Sequence, residues 1–156
     1  MAETNPLPAQ VLLELHRAVS QWSDAQCKQA GAMMEKHKDL RTGRYPALSN
    51  AQLSGILSYL TSQDTWANQK QFVRHQREKA QKVERHELAA FWDDLEKAGE
   101  ALVRQDAKAL WAQVLQAAGK ESKDLNPDKP PDIVHQLLLR EHVQHLVAHA
   151  LYLNTR

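Results

Sequence analysis

Cysteine is almost missing from this 156-residue chain: Cys27 stands alone, which excludes an intramolecular disulfide framework and every zinc site built on cysteines. Such usage points to a reducing, cytoplasmic setting. Five glycines and six prolines are too few to punctuate many short strands. No apolar run approaches the ~18 residues of a membrane span, and the opening Met-Ala-Glu-Thr-Asn-Pro has no cationic stretch followed by an apolar one. Membrane insertion and secretion are therefore not expected. An excess of one charge is missing too. With 20 basic and 19 acidic side chains, a wholly cationic coat is excluded, and any nucleic-acid surface must be local. Catalytic signatures of high specificity are absent.

What is present is helical periodicity. With 42% apolar and 25% charged residues the composition is that of a soluble globular protein, and the length suits a single domain over residues 1–156. Pro6 and Pro8 can open a first helix, in which Val11, Leu12, Leu15, Ala18, Val19 and Trp22 recur at 3–4 spacing. Ser23 with Gln26, and Ser49 with Gln52, read Ser-x-x-Gln, a reciprocal cap that predicts helix starts near 24 and 50. Leu40–Pro46 reads as a connecting loop. Leu53, Ile56, Leu57 and Leu60 line one face of a helix over 50–62, and Asp64 or Thr65 starts another that runs to about 83. After Glu84 the stripe resumes as Leu88, Phe91, Trp92, Leu95 and Leu102; Asp106 caps a short helix holding Leu110, Trp111, Val114 and Leu115, and Gly119 ends it. Residues 119–131 combine charge with proline and read as a mobile, solvated loop. A last helix, Asp132 to Asn154, carries Leu139, Val143, Leu146, Ala150 and Leu153. The expected fold is an all-α, single-domain bundle of six or seven helices.

The near-neutral total hides an uneven distribution. Residues 69–86 contain six basic and two acidic side chains, residues 87–156 eight and eleven. Lys70, Arg74, Arg77, Gln81 and Arg85 follow the track of one helical face, a ridge about 20 Å long at 1.5 Å per residue. Lys79, Lys82, His75 and His86 widen it. Such a row suits a phosphodiester backbone, because each contact releases a counterion and Arg can grip a phosphate with two N–H groups. A plainer reading is a solvated face in which Glu78 and Glu84 pair with Arg74, Arg77 or Lys82. Another takes the opposite arc, Trp66, Phe72, Val73, Ala80 and Val83, as a seam for a second subunit.

His135, His142, His145 and His149 fall within roughly an 80° arc of the last helix. The local sequence adds only Glu141 and Asp132, so the row reads as a border between core and solvent, and neither a metal nor a cofactor is expected. Arg140 and His145 also match a loose Arg-x4-His pattern that resembles the catalytic motif of HEPN ribonucleases. That resemblance implies phosphate stabilisation by Arg140 and proton transfer by His145, although Glu141 sets a negative charge beside the site. Of the four tryptophans, Trp66 stands out, one turn before Lys70, where an exposed indole could stack on a base; core packing is the expected role of all four. Cys27 reads as a buried or inert thiol and Met33-Met34 as core filling.

Three segments in order resemble the small helical subunit of type III CRISPR effector complexes. Leu48–Leu57 is similar to that family's Leu-Ser/Thr-x-Ser-x-Leu/Ile-Arg helix opening, Phe72–Lys79 stands where an aromatic helix ends in Gly-Arg, and Glu141–Tyr152 is similar to its Glu-Ala-Leu/Ile-Val-Ala-Tyr terminal helix. Ser54 stands at the family's Arg, Gln76 at its Gly, and residues 84–131 have no counterpart. The resemblance implies a non-catalytic subunit of an antiviral ribonucleoprotein complex, in several copies along a guide–target RNA, with Arg77 at the family's RNA-facing basic position. Taken with the charge pattern, the expectation is sequence-independent binding of an RNA duplex or single strand through Lys70, Arg74, Arg77, Lys79, Lys82 and Arg85, alongside partner subunits or copies of itself. No membrane partner is expected.

Overall fold

Ser49 and Thr65 set two of the helix starts. The Ser49 hydroxyl accepts from the Gln52 amide at 3.2 Å and the Thr65 hydroxyl from the Asn68 amide at 3.3 Å, each satisfying a donor that a helix leaves open at its first turn. The computed structural model describes residues 7–41, 47–62 and 65–153. In it α1 spans Ala9–Lys36, a 3-10 turn Lys38–Arg41, α2 Asn50–Ser62, α3 Trp66–Lys82, α4 His86–Ala101, α5 Ala107–Ala118 and α6 Asp132–Leu153. Among the described residues there is no strand, and the chain is all-helical. The expected helix openers Pro6 and Asp64, loop residues 42–46, the Leu153 side chain and the end at Asn154 lie outside the described residues.

These elements form five rods, fewer than the six or seven expected. A π turn over Leu102–Asp106 joins α4 to α5, and Leu102 and Asp106 both keep right-handed helical backbone, so one rod continues from His86 to Ala118. Asp106 caps nothing; it accepts from the Trp22 indole at 2.9 Å. The helix start expected near residue 24 is absent as well. α1 runs through Ser23 and Gln26, both buried. Ser23 Oγ lies 2.7 Å from His145 Nε2 and donates to Glu141 Oε2 at 2.9 Å. A bond to α6 has replaced the local cap.

α1 and α6 run side by side in the same direction and serve two apolar clusters. Their first halves join α5 around Val11, Leu15, Trp111, Val114 and Leu138. Their second halves join α2, α3 and α4 around Met34, Leu53, Val73, Trp92 and Leu146. Ser23, Gln26, Glu141, His142 and His145 form a polar waist midway along the two helices. Farther on, a Cβ at Gly31 would meet His149 Cε1 at 3.0 Å, so a glycine lets α6 approach. Buried Arg41 ties the second cluster together. It donates to the Leu48 carbonyl, to Asn50 Oδ1 at 2.8 Å and to the Ala150 carbonyl at 3.3 Å. The 119–131 segment is anchored: Gly119 ends α5 at a φ of 59°, Leu125 packs on the first-half cluster, and the Trp111 indole donates to the Asn126 carbonyl at 3.0 Å.

Candidate nucleic-acid interface

α3 ends in a hydrogen-bonded reversal that needs a left-handed residue. The Arg85 amide donates to the Ala80 carbonyl at 2.8 Å and the Glu84 amide to the Gln81 carbonyl at 3.1 Å, the paired bonds of a Schellman turn. Glu84 takes the left-handed position at a φ of 57°. α4 then returns antiparallel to α3, and this decides the fate of the cationic ridge.

Lys70, Arg74 and Arg77 do share one helical face, and that face is turned onto α4. Lys70 pairs with Glu100, Arg74 Nε with Glu96 Oε1 at 2.9 Å, and Arg77 Nη1 with Asp93 Oδ1 at 3.2 Å and Glu96 Oε1 at 3.3 Å. Each step of three or four residues along α3 is matched by an equal step back along α4. The carboxylates come from α4, rather than from Glu78 or Glu84 on the same stretch. The hydrogen bond from Lys70 is the largest influence holding the Glu100 carboxyl below its ordinary range, against burial. Lys97 and Arg104 extend the network to Asp93 and Glu100. These three ridge cations are therefore already matched by charge within the molecule, and Arg77, the residue singled out by the family resemblance, is among them. Arg74 keeps half of its side chain exposed. The opposite arc, read as a seam for a second subunit, is largely occupied from within: Val73 and Ala80 are buried, and the Trp66 ring covers Gly99 while its indole donates to Glu100 at 3.1 Å.

Lys79, Lys82 and Arg85 stand apart from this network. All three are exposed, and among the described residues none makes an ion pair. They border a groove of about 700 Å³ between α2 and the α3–α4 hairpin, walled by Leu48, Ile56, Tyr59, Phe72, Val83 and Trp92. Tyr59 stacks on Phe72 with ring centroids 4.0 Å apart, and Phe72 meets Trp92 edge-on at 6.0 Å. The site thus brings together half of the six cations expected to bind RNA and sets them beside an apolar trough that the charge pattern alone did not reveal. Its sequence signal is the edge of the apolar arc, where Phe72 and, just past α3, Val83 lie to one side of the buried Gln69, Val73 and Ala80.

The histidine row divides three ways. His142 is buried, and among the described residues neither ring nitrogen has a hydrogen-bond partner; burial, with a smaller push from His145, lowers its pKa to about 4. His145 bonds to Ser23, and His149 lies 3.6 Å from Glu35. His135 is held below its ordinary value by burial. Among the described residues no group of three His, Cys, Asp or Glu side chains is placed to hold a metal. Arg140 is exposed, while the His145 ring bonds to Ser23 of α1. Cys27 is exposed rather than buried, with a free thiol, and Met34 is buried in the core as expected. Among the described residues no helix is long and apolar enough to cross a membrane.

No family model, curated protein or solved structure matches the chain.

Proposed function

We propose that the chain is a non-catalytic, RNA-backbone-binding subunit of a ribonucleoprotein effector complex of the CRISPR type, and that Lys79, Lys82 and Arg85 are its principal phosphate contacts. The observation that supports the reading is their freedom: Lys79 and Lys82 at the end of α3 and Arg85 just before α4 have no carboxylate partner among the described residues, so bringing a phosphate to them breaks none of the described ion pairs. Lys70 and Arg77 would have to give up α4 first, which ranks them as secondary contacts, with Arg74 between. The assignment to an effector complex rests on the three resembling segments, each of which contributes to one packed cluster, through Leu53, Val73 and Leu146 among others.

The test is the salt dependence of binding to labelled RNA, compared between the wild-type chain and a K79E/K82E/R85E variant. The variant is expected to bind more weakly at every sequence, with a log–log salt slope shallower by about 2, from ~0.7 per single-strand phosphate. An unchanged slope overturns the assignment. Labelled RNA incubated with the protein in EDTA is expected to stay intact, whereas cleavage lost on His145→Ala would favour the ribonuclease reading.

A further inference from the structure

We infer that the RNA taken by this surface is single-stranded, and that an unstacked base enters the groove between α2 and α3 while its flanking phosphates meet Lys79, Lys82 and Arg85. The inference rests on the RNA-binding reading above and specifies its ligand.

Two features carry it. The first is the reach of the free charge. With Lys70, Arg74 and Arg77 engaged by α4, the unpaired cations are confined to the last turn of α3, where Lys79 and Lys82 stand about 5 Å apart along the axis, and to Arg85 in the reversal that follows. Double-stranded RNA is recognised through contacts spread across successive grooves and their 2′-hydroxyls. A short cluster matches a few adjacent phosphates of one strand instead.

The second is what lies beside the cluster. Single-strand sites pair backbone cations with aromatic faces on which bases stack. Tyr59 is 39% exposed, stacks on Phe72 and lines both the groove and the depression beside it, so a flat ring entering there meets an aromatic wall. A Cβ at Gly55, in the groove wall, would meet nothing within 4 Å, which leaves that side open. Asn68, Gln71 and His75 line a depression next to Tyr59 and Phe72, where amide and imidazole groups are available to the edge of a base. Aliphatic walls alone would suit an acidic amphipathic helix equally well; the stacked aromatic pair and these neighbouring polar groups favour a nucleobase.

The experiment is fluorescence anisotropy with the full chain and three probes of about twelve nucleotides, within the usual single-strand site range: oligouridylate, the same strand with central abasic residues, and a blunt RNA duplex. Oligouridylate is expected to bind best, with the abasic strand and the duplex each weaker by about tenfold. Tyr59→Ala is expected to weaken oligouridylate about tenfold and the abasic strand hardly at all. Gly55→Trp, which fills the groove from a helical position with open space around it, should do the same without removing an aromatic contact. Equal affinity for intact and abasic strands, or oligouridylate binding untouched by both variants, overturns base docking and leaves the phosphate assignment standing. A groove occupied by an acidic amphipathic helix would give that second pattern. Failure of every probe to bind at low salt overturns both.

Discussion

The indole of Trp66 occupies the space that a side chain at position 99 would need. A Cβ built on Gly99 would stand 2.6 Å from Trp66 Cζ3 and closer still to Cη2. Helix propensity alone favours Ala over Gly by about 1 kcal/mol, yet overpacking costs about 1–3 kcal/mol, and a rigid ring pinned by its bond to Glu100 cannot swing aside. Gly99→Ala is expected to destabilise the protein by about 1–2 kcal/mol in urea unfolding, and Trp66→Leu in the same chain should recover much of that loss.

The α3–α4 ion pairs make a second expectation. Reversing Lys70, Arg74 and Arg77 to Glu sets them against Asp93, Glu96 and Glu100. Partly exposed pairs contribute only ~0.2–1 kcal/mol each, but like charges at these distances repel, so thermal unfolding should move several degrees lower. Converting the three α4 carboxylates to Lys in the same chain should restore the midpoint. If the triple reversal left stability unchanged, the pairing would carry no weight in the fold.

Acid should act through His142. Its folded pKa of about 4 lies below the ordinary 6.5, so the unfolded chain takes up the proton first and stability falls as pH drops from about 6.5 towards 4, by about 3 kcal/mol in all. His135, also lowered by burial, adds in the same direction. Asp94 and Glu100 are lowered carboxylates: burial opposes the charge of Asp94, but bonds from Lys36 and His37 outweigh it. Their contribution is lost only below the ordinary carboxylate range. Denaturant midpoints measured between pH 7 and 4 should therefore decline in wild type and much less in His142→Leu. That variant should also be about 1 kcal/mol more stable at pH 7, because it removes buried nitrogens that have no hydrogen-bond partner among the described residues.

Glu84 supplies a gain-of-stability test. A left-handed residue other than glycine costs roughly 1 kcal/mol, and the Glu84 carboxylate makes no ion pair among the described residues. Glu84→Gly is expected to raise stability by about 0.5–1 kcal/mol while preserving the reversal that sets Arg85 beside Lys82. A loss would mean that the carboxylate holds the turn in a way its backbone bonds do not.

Local periodicity made the helices legible because it is written into each segment. What lies between segments is not. Ser49 and Ser23 both stand in Ser-x-x-Gln; one caps a helix and the other is buried in the middle of one, and the difference is made by Glu141 and His145, more than a hundred residues away. The ridge shows the same limit. Its helical track could be read from spacing, but the matching track of Asp93, Glu96 and Glu100 becomes its partner only once Glu84 turns the chain back. Asp106 is helical because a π turn absorbs a residue there, an event that a 3.6-residue period does not announce. The groove was hidden for a related reason, since it needs α2 to stand away from α3, and neither segment encodes that gap alone.

The belt of Ser23, Gln26, Glu141, His142 and His145 has a mechanical consequence. It is a cross-section midway along the α1–α6 pair where oily contacts give way to a few directional bonds and an imidazole without a hydrogen-bond partner among the described residues. The halves on either side are joined there by hinges more than by glue. Amide exchange should accordingly resolve two opening units, the Trp111 half and the Trp92 half, with their frontier at that belt and at the π turn opposite.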